Sequence, residues 1–224
     1  MESLFDNYWE FLKKRTEFST CTSPVLRWHF SEQLNELEMR YFNFLKNSKL
    51  VLDYGAGDQS LKRKFLKNNF IGQYKTCDIS KNYQYDFQSL DAVIASGLRF
   101  DAVLLLEVIE HMSLQEFAVF LPKLLSILNP KGKLIISTPN AHSINAVWAT
   151  DFTHVKSYPL PDLWAILSLR GFKCQPFRVI LTNSSNGVIA KIIAMIRLFI
   201  AKILTNLLGV DYATGVAMLC ERQS

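Results

Sequence analysis

Four cysteines, Cys21, Cys77, Cys174 and Cys220, are all that the 224-residue chain has, and no two stand at the Cys-x-x-Cys spacing of a zinc or dithiol motif. Cys77, Cys174 and Cys220 fall in predicted strands, so buried free thiols are the expected state. Excess charge is also small. A net +5 permits an anionic surface as partner without demanding one, and no basic, aromatic-rich extension for RNA is present. Glu2, Asp6 and Glu10 interrupt the apolar residues at the N-terminus, which argues against an ordinary signal peptide and for a cytoplasmic protein. The chain is too short for two large domains but long enough for one α/β domain with a full core.

What the chain does have begins at Leu50-Val51-Leu52-Asp53-Tyr54-Gly55-Ala56-Gly57-Asp58. The short apolar run reads as a strand buried on both faces. Gly55 and Gly57 allow a tight turn and a close approach of backbone to ligand, and a helix is expected from about Leu61 to Leu66. Asp53 suits a ligand with a cationic group better than one with phosphates. A second strand, within Phe70 to Ile79, ends at Asp78, about twenty positions beyond Gly57, a spacing at which a carboxylate meets ribose hydroxyls. A short third strand is expected to end at Asp86-Phe87.

Phe100 to Glu107 is the clearest central strand, followed by Val108-Ile109-Glu110-His111-Met112 and a helix from Leu114 to Leu128. Asn129-Pro130-Lys131-Gly132-Lys133 stops that helix, and the strand Leu134 to Thr138 closes at Pro139-Asn140. A helix over Leu160–Leu169 and strands over Phe172–Leu181 and Tyr212–Arg222 complete the pattern. Residues 1–46 are expected to form a helical cap, with Ser31 as an N-cap, that either covers the sheet edge or forms a lid over the substrate with Trp28 and His29 facing the pocket. Residues 47–224 are expected to form the main domain.

An acidic residue before Gly-x-Gly resembles the first motif of class I S-adenosyl-L-methionine-dependent methyltransferases, although Gln59 stands where a third glycine is usual. The succession of strand, Glu-x-x-Glu-His, helix, Pro-x-Gly, strand and Thr-Pro-Asn is far more specific, and the resemblance covers roughly residues 48 to 174. It implies an α/β doubly wound, mostly parallel sheet of seven strands in the order 3-2-1-4-5-7-6, with N-terminal helices and a helical insertion between the last two strands. It also implies S-adenosyl-L-methionine as cofactor, with Asp53, Gly55, Gly57, Asp78, Asp86, Phe87 and Glu107 around it. Asp86 would reach the adenine amine and Phe87 would lie against the ring. His154 occupies a place where related enzymes put an acceptor-facing histidine, and it shares with His111 the expectation of a general base; His142 falls at the same edge.

The site is assigned without a metal. A second resemblance stands beside that assignment: Glu107, Glu110, His111 and His154 match the metal-holding pattern of small-RNA 3′-terminal 2′-O-methyltransferases, while Glu-x-x-Glu-His also occurs in metal-free quinone-pathway relatives. The expected acceptor is a hydroxyl of a sugar, glycan or lipid-linked precursor. A quinone-type molecule, an RNA 3′ end and a non-catalytic partner subunit are the alternatives, with nucleic acid the least favoured partner.

The segment 186–210 is an apolar helical insertion. Both flanking strands belong to one sheet, so a single membrane crossing could not return the chain. Lying in a membrane interface over 187–209, with the protein at the inner face of the membrane, is one expectation. Burial against the N-terminal helices or in a dimer interface is another, and a lid over a lipidic acceptor is the third.

Overall fold

The computed structural model describes residues 25–28, 33–144, 146–182 and 188–223, together with Lys14 and Glu17. The elements run β1 (Val25–Trp28), α1 (Glu36–Leu45), β2 (Leu50–Tyr54), α2 (Ser60–Lys67), β3 (Gln73–Cys77), α3 (Leu90–Ala95) and β4 (Phe100–Leu106). They continue with α4 (Leu114–Ser126), β5 (Leu128–Pro139), α5 (Leu160–Leu169), β6 (Phe172–Thr182), α6 (Val188–Leu208) and β7 (Gly215–Arg222). Short 3₁₀ turns occupy Ile109–His111 and Val147–Thr150.

One seven-stranded sheet has the order β1-β6-β7-β5-β4-β2-β3. β7 is antiparallel to both neighbours, and the other pairings are parallel. Six of the expected strands keep their expected neighbours. The third does not form: Phe87 makes only an isolated bridge to Cys77, because Asp86 is held to β3 by side-chain bonds and the pairing stops there. The seventh strand comes instead from Val25–Trp28, expected to be helical, which adds to β6 at the far edge. Of the expected cap, α1 is helical and starts later than foreseen. Its cap is Asn35, whose side chain accepts from Glu38 N while Glu38 accepts from Asn35 N. Ser31 and His29 lie outside the described residues.

Both faces of the sheet are covered, which explains the near-continuous apolar strands. Leu52, Val103, Leu105 and Ile136 pack under α3, α4 and α5. Val51, Tyr74, Leu104 and Ile135 pack under α1 and α2. A partly buried Lys64–Glu38 ion pair of 2.8 Å ties α2 to α1.

The thiol expectation is corrected. The antiparallel register sets Cys174 opposite Cys220 with Cα atoms 4.0 Å apart, and the two are joined as a disulfide; Cys77 is free and buried.

Gln59 has φ +60°, so the position that favours glycine keeps its left-handed backbone with a side chain in place. Its amide compensates in part by donating to Gln84 O at 2.8 Å. Replacing Gln59 with glycine is expected to change stability by less than about 1 kcal/mol, as relief of strain offsets loss of the bond and added chain entropy. Urea unfolding of the two proteins measures it.

Candidate functional site

The chain passes from β2 to β3 on one side and later to β4 on the other, which makes the carboxyl ends of β2 and β4 a topological switch point. The turn after β2 is held from below, since Gly55 N and Ala56 N both donate to Cys77 O, at 2.8 and 3.2 Å. Gly55 has φ +83°, and a Cβ there would collide with Val108 Cγ2, so a side chain fits only if Val108 moves. Gly57, at φ +49°, faces open space, where a ligand could approach the backbone.

Asp78 closes this turn. One carboxylate oxygen accepts from Gly57 N at 2.9 Å and the other from Ser80 N at 2.8 Å. Each oxygen keeps a second lone pair, which a ribose diol can use. Tyr85, missed in the sequence, donates to Gly57 O at 2.7 Å, so the 80–85 loop is fastened to the glycine turn at two points. No spacing rule pointed to it.

Asp53 is buried and accepts from the Tyr74 hydroxyl at 2.8 Å. Burial pushes its carboxyl up to about 6; the Tyr74 bond opposes that, and Asp78 adds to it. A carboxyl raised in the folded state contributes stability that is full below the unfolded value near 4. That contribution is lost as pH rises through about 6. Wild type should therefore lose on the order of 3 kcal/mol relative to Asp53→Asn between pH 4 and pH 7. Unfolding of both proteins across that range, without ligand, checks the sign.

Asp86 and Phe87 follow β3, and both already make contacts within the chain. Asp86 accepts from Thr76 N and Oγ1 and from Lys75 Nζ, at 2.9, 3.0 and 2.9 Å. Partial burial works against its ionisation, but these bonds hold the carboxyl below the usual range. Its oxygens are thus engaged within the chain and fasten the 86–87 segment to β3. Phe87 is half-buried against the α3–α5 core.

At the end of β4, Glu107 has φ +55°, a strained conformation for a residue with a side chain. Two bonds to β5 hold it: Ser137 Oγ donates to Glu107 Oε1 at 2.6 Å, and Glu107 N donates to Ser137 O at 3.1 Å. Glu110 follows, almost wholly buried, accepting from Thr138 Oγ1 at 3.1 Å. Burial, and then the nearby Glu107 charge, push the Glu110 carboxyl well above its usual range. Ser137 and Thr138 were missed as site residues. The strand-end hydroxyls opposite Glu-x-x-Glu were the available signal.

The loop after β5 is pinned to the same place, with Val155 N and Lys156 N donating to Glu110 O at 2.8 and 3.1 Å. His111 Nδ1 lies 3.1 Å from Thr153 O, and His154 Nδ1 lies 2.6 Å from Trp148 O. A carbonyl oxygen only accepts, so each Nδ1 carries a hydrogen, and in the neutral ring it is Nε2 that holds the lone pair. The rings stand edge to face at 5.0 Å. Glu110, His111 and His154 each offer one donor atom, all within 4.8 Å of one another. His142, exposed in the turn after β5, is not part of that group.

A family model described as a methyltransferase domain matches residues 27–176, more than half of the chain. No protein of curated function matches. Among solved structures, a S-adenosylmethionine-dependent methyltransferase from Archaeoglobus fulgidus is 20% identical, with 82% of this chain and 90% of that one covered at a TM-score of 0.62. The methyltransferase domain of bacterial CtHen1 is 18% identical, covering 84% and 97% at 0.58. Magnesium protoporphyrin IX methyltransferase from Synechocystis PCC 6803, with the cofactor bound, is 16% identical, covering 84% and 79% at 0.51. At these identities the likeness is one of fold.

Proposed function

Because the chain belongs to the methyltransferase-domain family and its cofactor is S-adenosyl-L-methionine, we propose that it methylates a hydroxyl oxygen of a sugar, glycan or lipid-linked precursor. The residues at the switch point fit that cofactor. Gly57 leaves room for it, Asp78 keeps lone pairs for a diol, and Asp53 and Glu107 offer negative charge to its cationic groups. When bound, the cofactor supplies a methyl group on a sulfonium, open to in-line displacement.

The observation that carries the reading is the pair of histidines. Each is oriented by a backbone carbonyl, with Nε2 free to accept a proton. His154 takes the acceptor's proton as its oxygen forms the new bond to carbon, and His111 beside it is the second base. Holding the acceptor against this edge supplies positioning, which accounts for much of the rate in such displacements. Formation of S-adenosylhomocysteine in the presence of glycan or lipid-linked acceptors tests the proposal. Cofactor binding without turnover on any hydroxyl acceptor would favour a non-catalytic partner subunit.

One observation favours a variant of this reading: the Glu110, His111 and His154 donors converge. Metal-bound histidines commonly donate their second ring N–H to a carbonyl, as both do here. These residues would hold a divalent ion, with manganese suiting the nitrogen ligands better than magnesium, and such an ion lowers the pKa of a hydroxyl bound to it. Mn²⁺ titration followed by electron paramagnetic resonance separates the two. Binding lost in His111→Ala supports the ion, and no binding leaves the histidines as bases.

A further inference from the structure

α6 turns a wide apolar surface outward. Its inward side is narrow: Ala201 and Thr205 are buried, with Leu198 beside them, and the Thr205 hydroxyl lies 3.3 Å from Val210 O. Thr205 thus faces the protein, although its spacing groups it with Lys191, Lys202 and Asn206. Ile192, Met195, Ile196, Phe199, Ile200 and Ile203 are each 41–66% exposed. At about 100° per residue they share an arc of roughly 140°.

The charges of α6 border that arc. On the same helical projection Arg197 stands on one flank and Lys202 on the other, and the helix contains no Asp or Glu. This is the arrangement of a helix lying in a lipid interface, with apolar side chains among the acyl chains and cations reaching headgroup phosphates. A two-fold pairing with a second copy would bring these cationic flanks against each other with no acid from either helix. No helix among the described residues is long and apolar enough to cross a membrane.

We propose that α6 docks the protein on an anionic bilayer surface. The helix follows β6 at the carboxyl edge of the sheet, the same edge that carries the histidines. The segment after it holds the loop after β5, since Ile144 N donates to Asp211 O at 3.0 Å and Asn140 Nδ2 to Ala213 O at 2.9 Å. Around that loop Ile144, Phe152 and Val155 are exposed, Phe152 completely. Docking therefore brings the acceptor side of the site close to the lipid surface, and the acceptor is membrane-borne. This last step rests on the methyl-transfer reading; the docking does not.

Flotation with vesicles of phosphatidylcholine alone, and of phosphatidylcholine with phosphatidylglycerol, tests the docking on the full chain. Wild type should float with the anionic vesicles, and less so as salt is raised. An Ile196→Glu, Phe199→Glu double variant should lose about tenfold or more of the bound fraction. Both changes are at exposed positions, and S-adenosylhomocysteine affinity, measured on the same preparations, should be equal in the two proteins. Wild type that stays at the bottom with anionic vesicles overturns the docking, as does a double variant that floats equally well. A wild-type dimer that the variant dissociates, with no vesicle binding, assigns the surface to a second copy instead. Vesicle binding without S-adenosylhomocysteine binding would spare the docking and refute the methyl-transfer reading.

Discussion

Replacing His154 with alanine should lower turnover by about a hundredfold or more, while S-adenosylhomocysteine affinity stays within about twofold. The split follows from where the residue stands. Its Nδ1 is spent on Trp148 O, and the residue is grouped with His111 and Glu110 rather than with the hydrogen bonds of the glycine turn. The effect should therefore fall on the acceptor's proton and leave the cofactor's contacts alone. His111→Ala should cost less than His154→Ala if His111 is the second base, and about as much if both hold an ion. Stopped assays of product formed, paired with calorimetry on each variant, provide the comparison. Equal turnover in wild type and His154→Ala would remove the residue from the chemistry.

Asp78→Ala should weaken S-adenosylhomocysteine binding by about tenfold to a hundredfold. Two losses combine. The ribose loses its carboxylate acceptor, and Gly57 N and Ser80 N lose the partner that fixes the glycine turn. Asp78→Asn separates them. Its single carbonyl oxygen can keep one backbone bond but not both, and it presents weaker acceptance to a diol. An intermediate affinity is expected for Asn, measured by calorimetric titration. If Asp78→Ala binds as wild type does, the carboxylate serves the turn alone.

The central half of the fold was legible because each signal was local. Two-sided burial makes β2, β4 and the second half of β5 nearly continuous apolar runs, and Gly-x-Gly marks the turn after β2. Pro-x-Gly, expected to stop the preceding helix, lies instead inside β5, which already begins at Leu128. Asp53, Asp78 and Glu107 could be placed at one edge because parallel strands end together. The edges were harder. Val25–Trp28 pairs with β6, more than 150 residues away in sequence, and no local pattern announces that partner. How Asp86 is held was not legible either, because Thr76 and Lys75, which bond its oxygens, become its neighbours only when β3 is built. The Cys174–Cys220 pair likewise depends on the register of two antiparallel strands. Tyr85 reaches Gly57 through a loop whose path the sequence does not mark.

The claim on which the rest depends is that the carboxyl edge of β2 and β4 binds the cofactor. Calorimetric titration of the wild-type chain with S-adenosylhomocysteine tests it most directly. One site per chain with a Kd on the order of micromolar, about −8 kcal/mol, is the predicted result. A protein that unfolds cooperatively but shows no binding up to about millimolar ligand, where affinity would be no better than about −4 kcal/mol, would contradict it.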